Sequence, residues 1–302
     1  MSKYIELTVE VNSLWSEYLS ELMINRLGCA GVVFQEIQYK DEEVVKSTEG
    51  FIKGYIWLNS EKPAEINYFQ KILYESKREL EQMGINNAGS FRLSTKEVAD
   101  EEWAHSWKKF WHPQKIGQKI VICPSWEEYI ENPTDIKLIL DPGTAFGTGT
   151  HPTTRLCIMA IEKYLKQGNE IADVGAGSGI LSVVSAKLGA GRVVGVDNDP
   201  SVISIAAENA LINNVENTCS FYEGSAGDIK EKYDIVAANI LAEVIVEILA
   251  ELLGILKDGG RLILSGIISE KAFLVEQALA QRDAKIIEFL EEDNWVAIIA
   301  IK

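Results

Sequence analysis

From about residue 115 to the end of the chain, short apolar runs of strand length alternate with longer stretches of helical periodicity, and this pattern restricts the fold more than any other feature. The strand-like runs fall at 171–174, 192–196, 220–223, 234–238 and 262–265, and the helical patterns at 153–166, 180–189, 200–213, 242–257 and 270–281. Repeated strand–helix units predict a parallel sheet with helices packed on both faces. Two further runs, 286–290 and 295–301, flank Glu291-Glu292-Asp293-Asn294 with no helix between them. They read as a hairpin that ends a seven-stranded, Rossmann-like α/β sheet with an antiparallel pair.

The N-terminal third has a different pattern. Residues 3–11 alternate apolar and polar, and Leu14, Tyr18, Leu22 and Leu27 then recur at helical spacing. Strands are expected at 31–35 and 51–58 around a charged, solvated stretch at 40–49, then a helix from Pro63 to about residue 83 and a strand at 91–98. The order β-α-β-β-α-β predicts a small ferredoxin-like α+β domain with both helices on one face of an antiparallel sheet. It carries no catalytic motif, so a recognition surface is the expectation. A chain of 302 residues exceeds the usual single domain of roughly 100–200 residues. The expected division is 1–100, a linker helix over 101–114 and an α/β domain over 115–302. In the linker Trp103, Trp107 and Trp111 form one helical stripe suited to packing, and Pro113 marks its end.

Composition narrows the function. The N-terminus lacks the basic and long apolar regions of a signal peptide, and no segment approaches ~20 uncharged apolar residues, so a soluble, cytoplasmic protein without membrane contact is expected. Cys29, Cys123, Cys157 and Cys219 form no CxxC pattern, and three histidines are too few for a zinc site, so reduced structural thiols and no metal are expected. A formal net charge of −16 opposes general affinity for a phosphate backbone and favours a basic protein or a small molecule as partner.

The run Asp173-Val174-Gly175-Ala176-Gly177-Ser178-Gly179 stands between an expected strand and helix. There a glycine turn lets backbone approach a ligand and the helix start offers unpaired N–H groups. A dinucleotide fingerprint counted from Gly175 would place its third glycine at Ile180, but here it is Gly179. Asp173 is suited to fixing the loop or binding a cofactor ammonium group. The next strand ends at Asp197, 22 positions after Gly175, where a carboxylate accepts hydrogen bonds from ribose hydroxyls. That contact indicates a ribosyl cofactor without choosing which. Asn198, Asp199 and Pro200 read as helix-start residues, and Ser225 as a loop serine near an adenine position. Asn239 lies at the carboxyl end of the fourth strand, where its side-chain carbonyl is suited to accept a hydrogen bond from an amine and aim its lone pair.

The D-x-G-x-G-x-G spacing resembles motif I of the class I methyltransferases. A second segment, Asp141-Pro142-Gly143-Thr144-Ala145-Phe146-Gly147-Thr148-Gly149-Thr150-His151-Pro152-Thr153-Thr154, has the flexible, hydroxyl-rich composition of a cofactor lid. With Trp111-His112-Pro113 and Cys123-Pro124-Ser125-Trp126 it makes the chain, over essentially its full length, similar to the PrmA family of methyltransferases of large-subunit ribosomal protein L-eleven. This resemblance implies S-adenosylmethionine as cofactor, with contacts at Thr154, Gly175, Asp197 and Asn239. Phe146, Gly147, Thr148, Asp173 and Gly177 join that set as loop residues, and Asn239 also faces the substrate amine. It further implies that the N-terminal domain binds the basic ribosomal protein, and that lysine ε-amines and an α-amine are the acceptors. The segment Ile240-Leu241-Ala242 replaces the Pro-Pro-Tyr that follows the Asn in glutamine and adenine enzymes.

Overall fold

The computed structural model describes residues 3–12, 15–27, 29, 32–36, 49–58, 66–82, 89–99, 112–141, 149 and 151–302. The chain divides into two compact units, Met1–Trp111 and His112–Lys302. The expected linker residues 101–111, with their three tryptophans, and residues 40–48 of the charged stretch lie outside the described residues, and Glu49, expected in that stretch, is the first residue of β3.

In the first unit the elements are β1 (Lys3–Asn12), α1 (Ser16–Asn25), β2 (Val32–Glu36), β3 (Glu49–Leu58), α2 (Ile66–Gln82) and β4 (Leu93–Ala99). The sheet order is β2-β3-β1-β4 and every pair is antiparallel, which is the ferredoxin-like arrangement. Alternation along β1 places Ile5, Leu7, Val9 and Val11 in one apolar cluster with Leu19 and Met23 of α1 and Phe69 and Leu73 of α2. Both helices therefore cover the same face.

The second unit opens with three short strands, β5 (Gln114–Ile116), β6 (Ile120–Cys123) and β7 (Ile136–Ile139), in a small sheet of their own. Gln114, expected at the end of the linker helix, is the first residue of β5. The main elements follow as α3 (Pro152–Tyr164), β8 (Glu170–Val174), α4 (Ile180–Lys187), β9 (Arg192–Asp197), α5 (Pro200–Ile212) and β10 (Cys219–Glu223). They continue as β11 (Tyr233–Asn239), α6 (Ala242–Gly254), β12 (Leu256–Ile268), α7 (Ala272–Ala280), β13 (Lys285–Glu292) and β14 (Trp295–Ile301). The seven strands run in the order β10-β9-β8-β11-β12-β14-β13. β8 to β12 are parallel, and β14 is antiparallel to both neighbours.

The helix expected to reach residue 257 ends at Gly254. Leu256 pairs with Tyr233, and a register break between Tyr233 and Ile235 lets β12 extend to 13 residues. Ladder pairing at Leu256 wins over the apolar periodicity that continues the helix in sequence.

Strand alternation divides the core into two layers. Ile171, Ile235, Ala237, Ile263 and Ile299 pack with α3, α4 and the β5–β7 strands. Ala172, Val174, Val236, Ala238, Leu262 and Leu264 pack with α6 and α7. Each buried aliphatic side chain contributes ~1.5–3 kcal/mol, so the parity of every central strand is strongly fixed. By that parity Asp173 and Asn239 lie on the face covered by α3.

Candidate active site

The loop after β8 is shaped by its glycines. Gly175, Gly177 and Gly179 have φ of 75°, 51° and 75°, the left-handed region that a side chain disfavours. A Cβ at Gly175 would collide with the Ile240 side chain, and one at Gly179 would sit 2.8 Å from Ala206 Cβ. Gly175 and Ala176 donate to Val196 O at 2.9 and 3.0 Å, tying the loop to the end of β9. Gly177 N donates to Asp197 Oδ2 at 2.9 Å, while Asp199 N donates to Oδ1 at 3.0 Å. These two bonds hold the Asp197 carboxylate at the carboxyl edge of the sheet. Asp199 caps α5 by accepting from Ser201 N at 2.8 Å, the role its position suggests.

Asp173 is buried, and its Oδ2 accepts from Ser182 N at 3.1 Å and from Ser182 Oγ at 2.7 Å. Oδ1 is buried without any hydrogen-bond partner. Burial pushes the carboxyl up to about 6, the Ser182 bonds pull it down, and the Asp197 charge adds to the rise. An orphaned carboxylate oxygen in such a site costs free energy unless a donor or cation meets it.

The fourth parallel strand brings Asn239 alongside. Asp173 pairs with Ala237 and Val174 with Ala238, so Asn239 stands one residue beyond the ladder, next to the glycine loop. Its Nδ2 donates to Thr154 Oγ1 at 3.4 Å, and its Oδ1 is buried and accepts nothing. Thr154 is buried in the first turn of α3, whose start is fixed by His151. Thr153 N donates to His151 Nδ1 at 3.3 Å, and the His151 ring stands edge-on to Trp295 at 4.9 Å between centroids.

The fold thus brings together Thr154 with Asn239 and Gly177 with Asp197, and sets Gly175 against the residue that follows Asn239. Phe146, Gly147 and Thr148 lie outside the described residues. Ser225 begins a short 3₁₀ turn at Ala226–Asp228, with its N–H donating to Asp228 Oδ2 at 2.9 Å. All four cysteines are free and buried, and among the described residues no group of His, Cys, Asp or Glu is arranged to hold a metal. Among the same residues, no helix is long and apolar enough to cross a membrane.

Sequence inspection missed three supporting side chains. Ser182 holds Asp173, as above. Asn209 Nδ2 donates to Ser178 O at 2.8 Å, fixing the glycine loop from α5. Asn213, buried just past the end of α5, accepts from Ile139 N at 2.8 Å and donates to Ile139 O at 2.7 Å. The only sequence signal was the pair of asparagines four apart near a helix end, which share a face.

The order and directions of the seven strands are the layout of the class I S-adenosylmethionine-dependent methyltransferases, and the glycine loop sits where a doubly wound sheet takes its ligand. The residues present suit such a cofactor, since Asp173 Oδ1 is buried without a partner and the Asp197 carboxylate is held at the sheet edge by Gly177 N and Asp199 N. The sequence matches the family described as ribosomal protein L11 methyltransferase (PrmA) over residues 3–302, and the chain belongs to that family. Relatives with the same description include a protein of Alkaliphilus oremlandii, 37% identical over 99% of this chain and 98% of its own. Another, from an Exiguobacterium species, is 38% identical over 99% of each chain. A crystal structure titled ribosomal protein L11 methylase, from Lactobacillus delbrueckii subsp. bulgaricus, superposes with a TM-score of 0.60 at 32% identity. It covers 64% of this chain and 99% of its own.

Proposed function

We propose that this chain transfers methyl groups from S-adenosylmethionine to lysine ε-amines and the N-terminal α-amine of ribosomal protein L11, in the cytoplasm. The observation that carries the reading is the buried, unpartnered Oδ1 of Asn239 at the strand end beside the glycine loop. An amine N–H donates to that oxygen, which turns the nitrogen lone pair toward the cofactor side of the edge. Thr154 keeps the amide in this orientation by accepting from Nδ2.

When bound, S-adenosylmethionine supplies an electrophilic methyl group on a sulfonium and leaves as S-adenosylhomocysteine. Asp173 Oδ1 is suited to receive its ammonium group and the Asp197 carboxylate its ribose hydroxyls. Gly175 and Gly177 supply the close backbone surface between them, and Phe146, Gly147 and Thr148 are proposed to complete the enclosure. A lysine amine has a reference pKa near ~10.4, so the site has to favour its neutral form by excluding water and by repulsion from positive charge. No side chain is required as a strong general base.

The N-terminal unit is the proposed holder of the ribosomal protein, whose basic character suits a chain of net charge −16. The test is mass spectrometry of purified L11 after incubation with the enzyme and S-adenosylmethionine. Mass steps of one methyl group are expected, and an unchanged mass would remove L11 as the target.

A further inference from the structure

The carboxyl edge of the large sheet carries an apolar rim beside Asn239. Leu241, Val244 and Phe273 are 65%, 38% and 53% exposed, although Ile245, Leu249, Leu252 and Leu253 of α6 and Val275 and Leu279 of α7 are buried in the core. Leu241 and Val244 stand at the start of α6, and Phe273 at the start of α7. Both helices begin at the carboxyl ends of adjacent parallel strands, β11 and β12, and a Lys271–Glu243 ion pair ties the two starts together. Leu241 is two residues beyond Asn239.

The tip of the β13–β14 hairpin reaches the same edge. Ser269 N donates to Asn294 O at 3.0 Å, and Asn294 Nδ2 lies 3.4 Å from the Glu270 carboxylate. This brings Glu291, Glu292 and Asp293 to a rim that already holds Glu243 and Glu270. Among the described residues, Lys271 and Arg155 at this rim are paired with Glu243 and Glu292. Scattered exposed apolar residues are ordinary. Three at one edge, next to a buried amide oxygen with no partner and among surplus carboxylates, mark a contact surface.

The chemistry of the rim selects its occupant. Carboxylates repel a nucleic-acid backbone, and an isolated amine would leave the apolar side chains in water. The geometry points to a docking surface for the polypeptide that bears the acceptor amine. Leu241, Val244 and Phe273 receive an apolar side chain flanking the target residue, and the carboxylates receive its basic neighbours. The catalytic unit therefore reads local sequence around the amine. This inference rests on the protein-methylating function proposed above.

The test compares wild type with the double variant Leu241→Ser, Phe273→Ser in steady-state methylation of L11, with S-adenosylmethionine affinity measured by calorimetry. KM for L11 is expected to rise about tenfold or more, the equivalent of ~1.4 kcal/mol. kcat and cofactor affinity should be nearly unchanged. An unaltered KM with intact cofactor binding would overturn the docking role, as would a fall in kcat alone. If the double variant loses cofactor affinity, Phe273→Ser alone decides by the same criteria. Wild type that yields no methylated L11 defeats the proposed function and the rim with it, whereas active wild type with an indifferent variant defeats the rim only.

Discussion

Replacing Asn213 by Ala tests whether a single side chain acts as the missing neighbour of an edge strand. Among the described residues β7 pairs with β6 on one side only, and on its other side Ile139 N–H and C=O are both satisfied by the Asn213 amide, at 2.8 and 2.7 Å. Alanine removes both partners at once. Asn209 O, the third contact of this amide, keeps the Asn213 backbone N–H at 3.2 Å, so only the two groups of Ile139 are stranded. Each unsatisfied buried group costs ~1–3 kcal/mol. Ile139 is half-buried, so water recovers part of the loss and the expected destabilisation is roughly 2–4 kcal/mol. With a urea dependence of ~1–3 kcal/mol per molar, the unfolding midpoint of the second unit should fall by about 1–2 M. Circular dichroism across a urea series measures it. Asn213→Asp should be no better than Ala, because it keeps the acceptor for Ile139 N but sets a carboxylate against Ile139 O. A midpoint shift below ~0.3 M for Ala, or rescue by Asp, would refute the claim that β7 depends on this amide.

Asn239→Ala should leave S-adenosylmethionine affinity nearly intact while kcat on L11 falls roughly 10²-fold, and equal rates in a methyl-transfer assay would remove Asn239 from the chemistry. Burial holds the Asp173 carboxyl at about 6 against an ordinary 3.8, so the anion is penalised in the folded apo-protein. The sign follows: this group lowers apo-protein stability progressively as pH rises from about 4 to 6, by roughly 3 kcal/mol in all. Cofactor affinity should move the other way, weakening about tenfold per unit below pH 6, because the ammonium needs the anion. Calorimetric titration from pH 5 to 8 tests this, and Asp173→Asn should flatten both dependences. Gly179→Ala should cost at least ~1–2 kcal/mol from its left-handed backbone, since the added Cβ also meets Ala206 at 2.8 Å. Thermal unfolding reads that loss directly.

The layout of the second unit was legible because each strand–helix unit writes its period into the sequence, and the hairpin signal around Asp293 and Asn294 marks where the parallel run stops. β5 to β7 were not legible. At three or four residues each they are too short for alternation to register, and β6 is buried throughout. The end of α6 was misplaced because Ile255 and Leu256 continue a helical apolar pattern, and only pairing with Tyr233 turns them into strand. Asp173, Asp197 and Asn239 were visible as residues at strand ends. Their supports were not, because Ser182 and Asn209 are polar residues within helical patterns whose role exists only once a distant carboxylate or carbonyl arrives beside them.

The shared parity of Asp173 and Asn239 also limits how such a chain can drift over generations. Either residue faces α3 only while its strand keeps an odd–even count with the aliphatic residues beneath it. Replacing Ile235 by Val would be a small loss, but inserting one residue between Ile235 and Asn239 would turn the amide to the opposite layer and expose a core position in the same step. Sequence change in these strands can therefore accumulate by exchange of one residue for another. Changes in length have to be absorbed by the connecting loops.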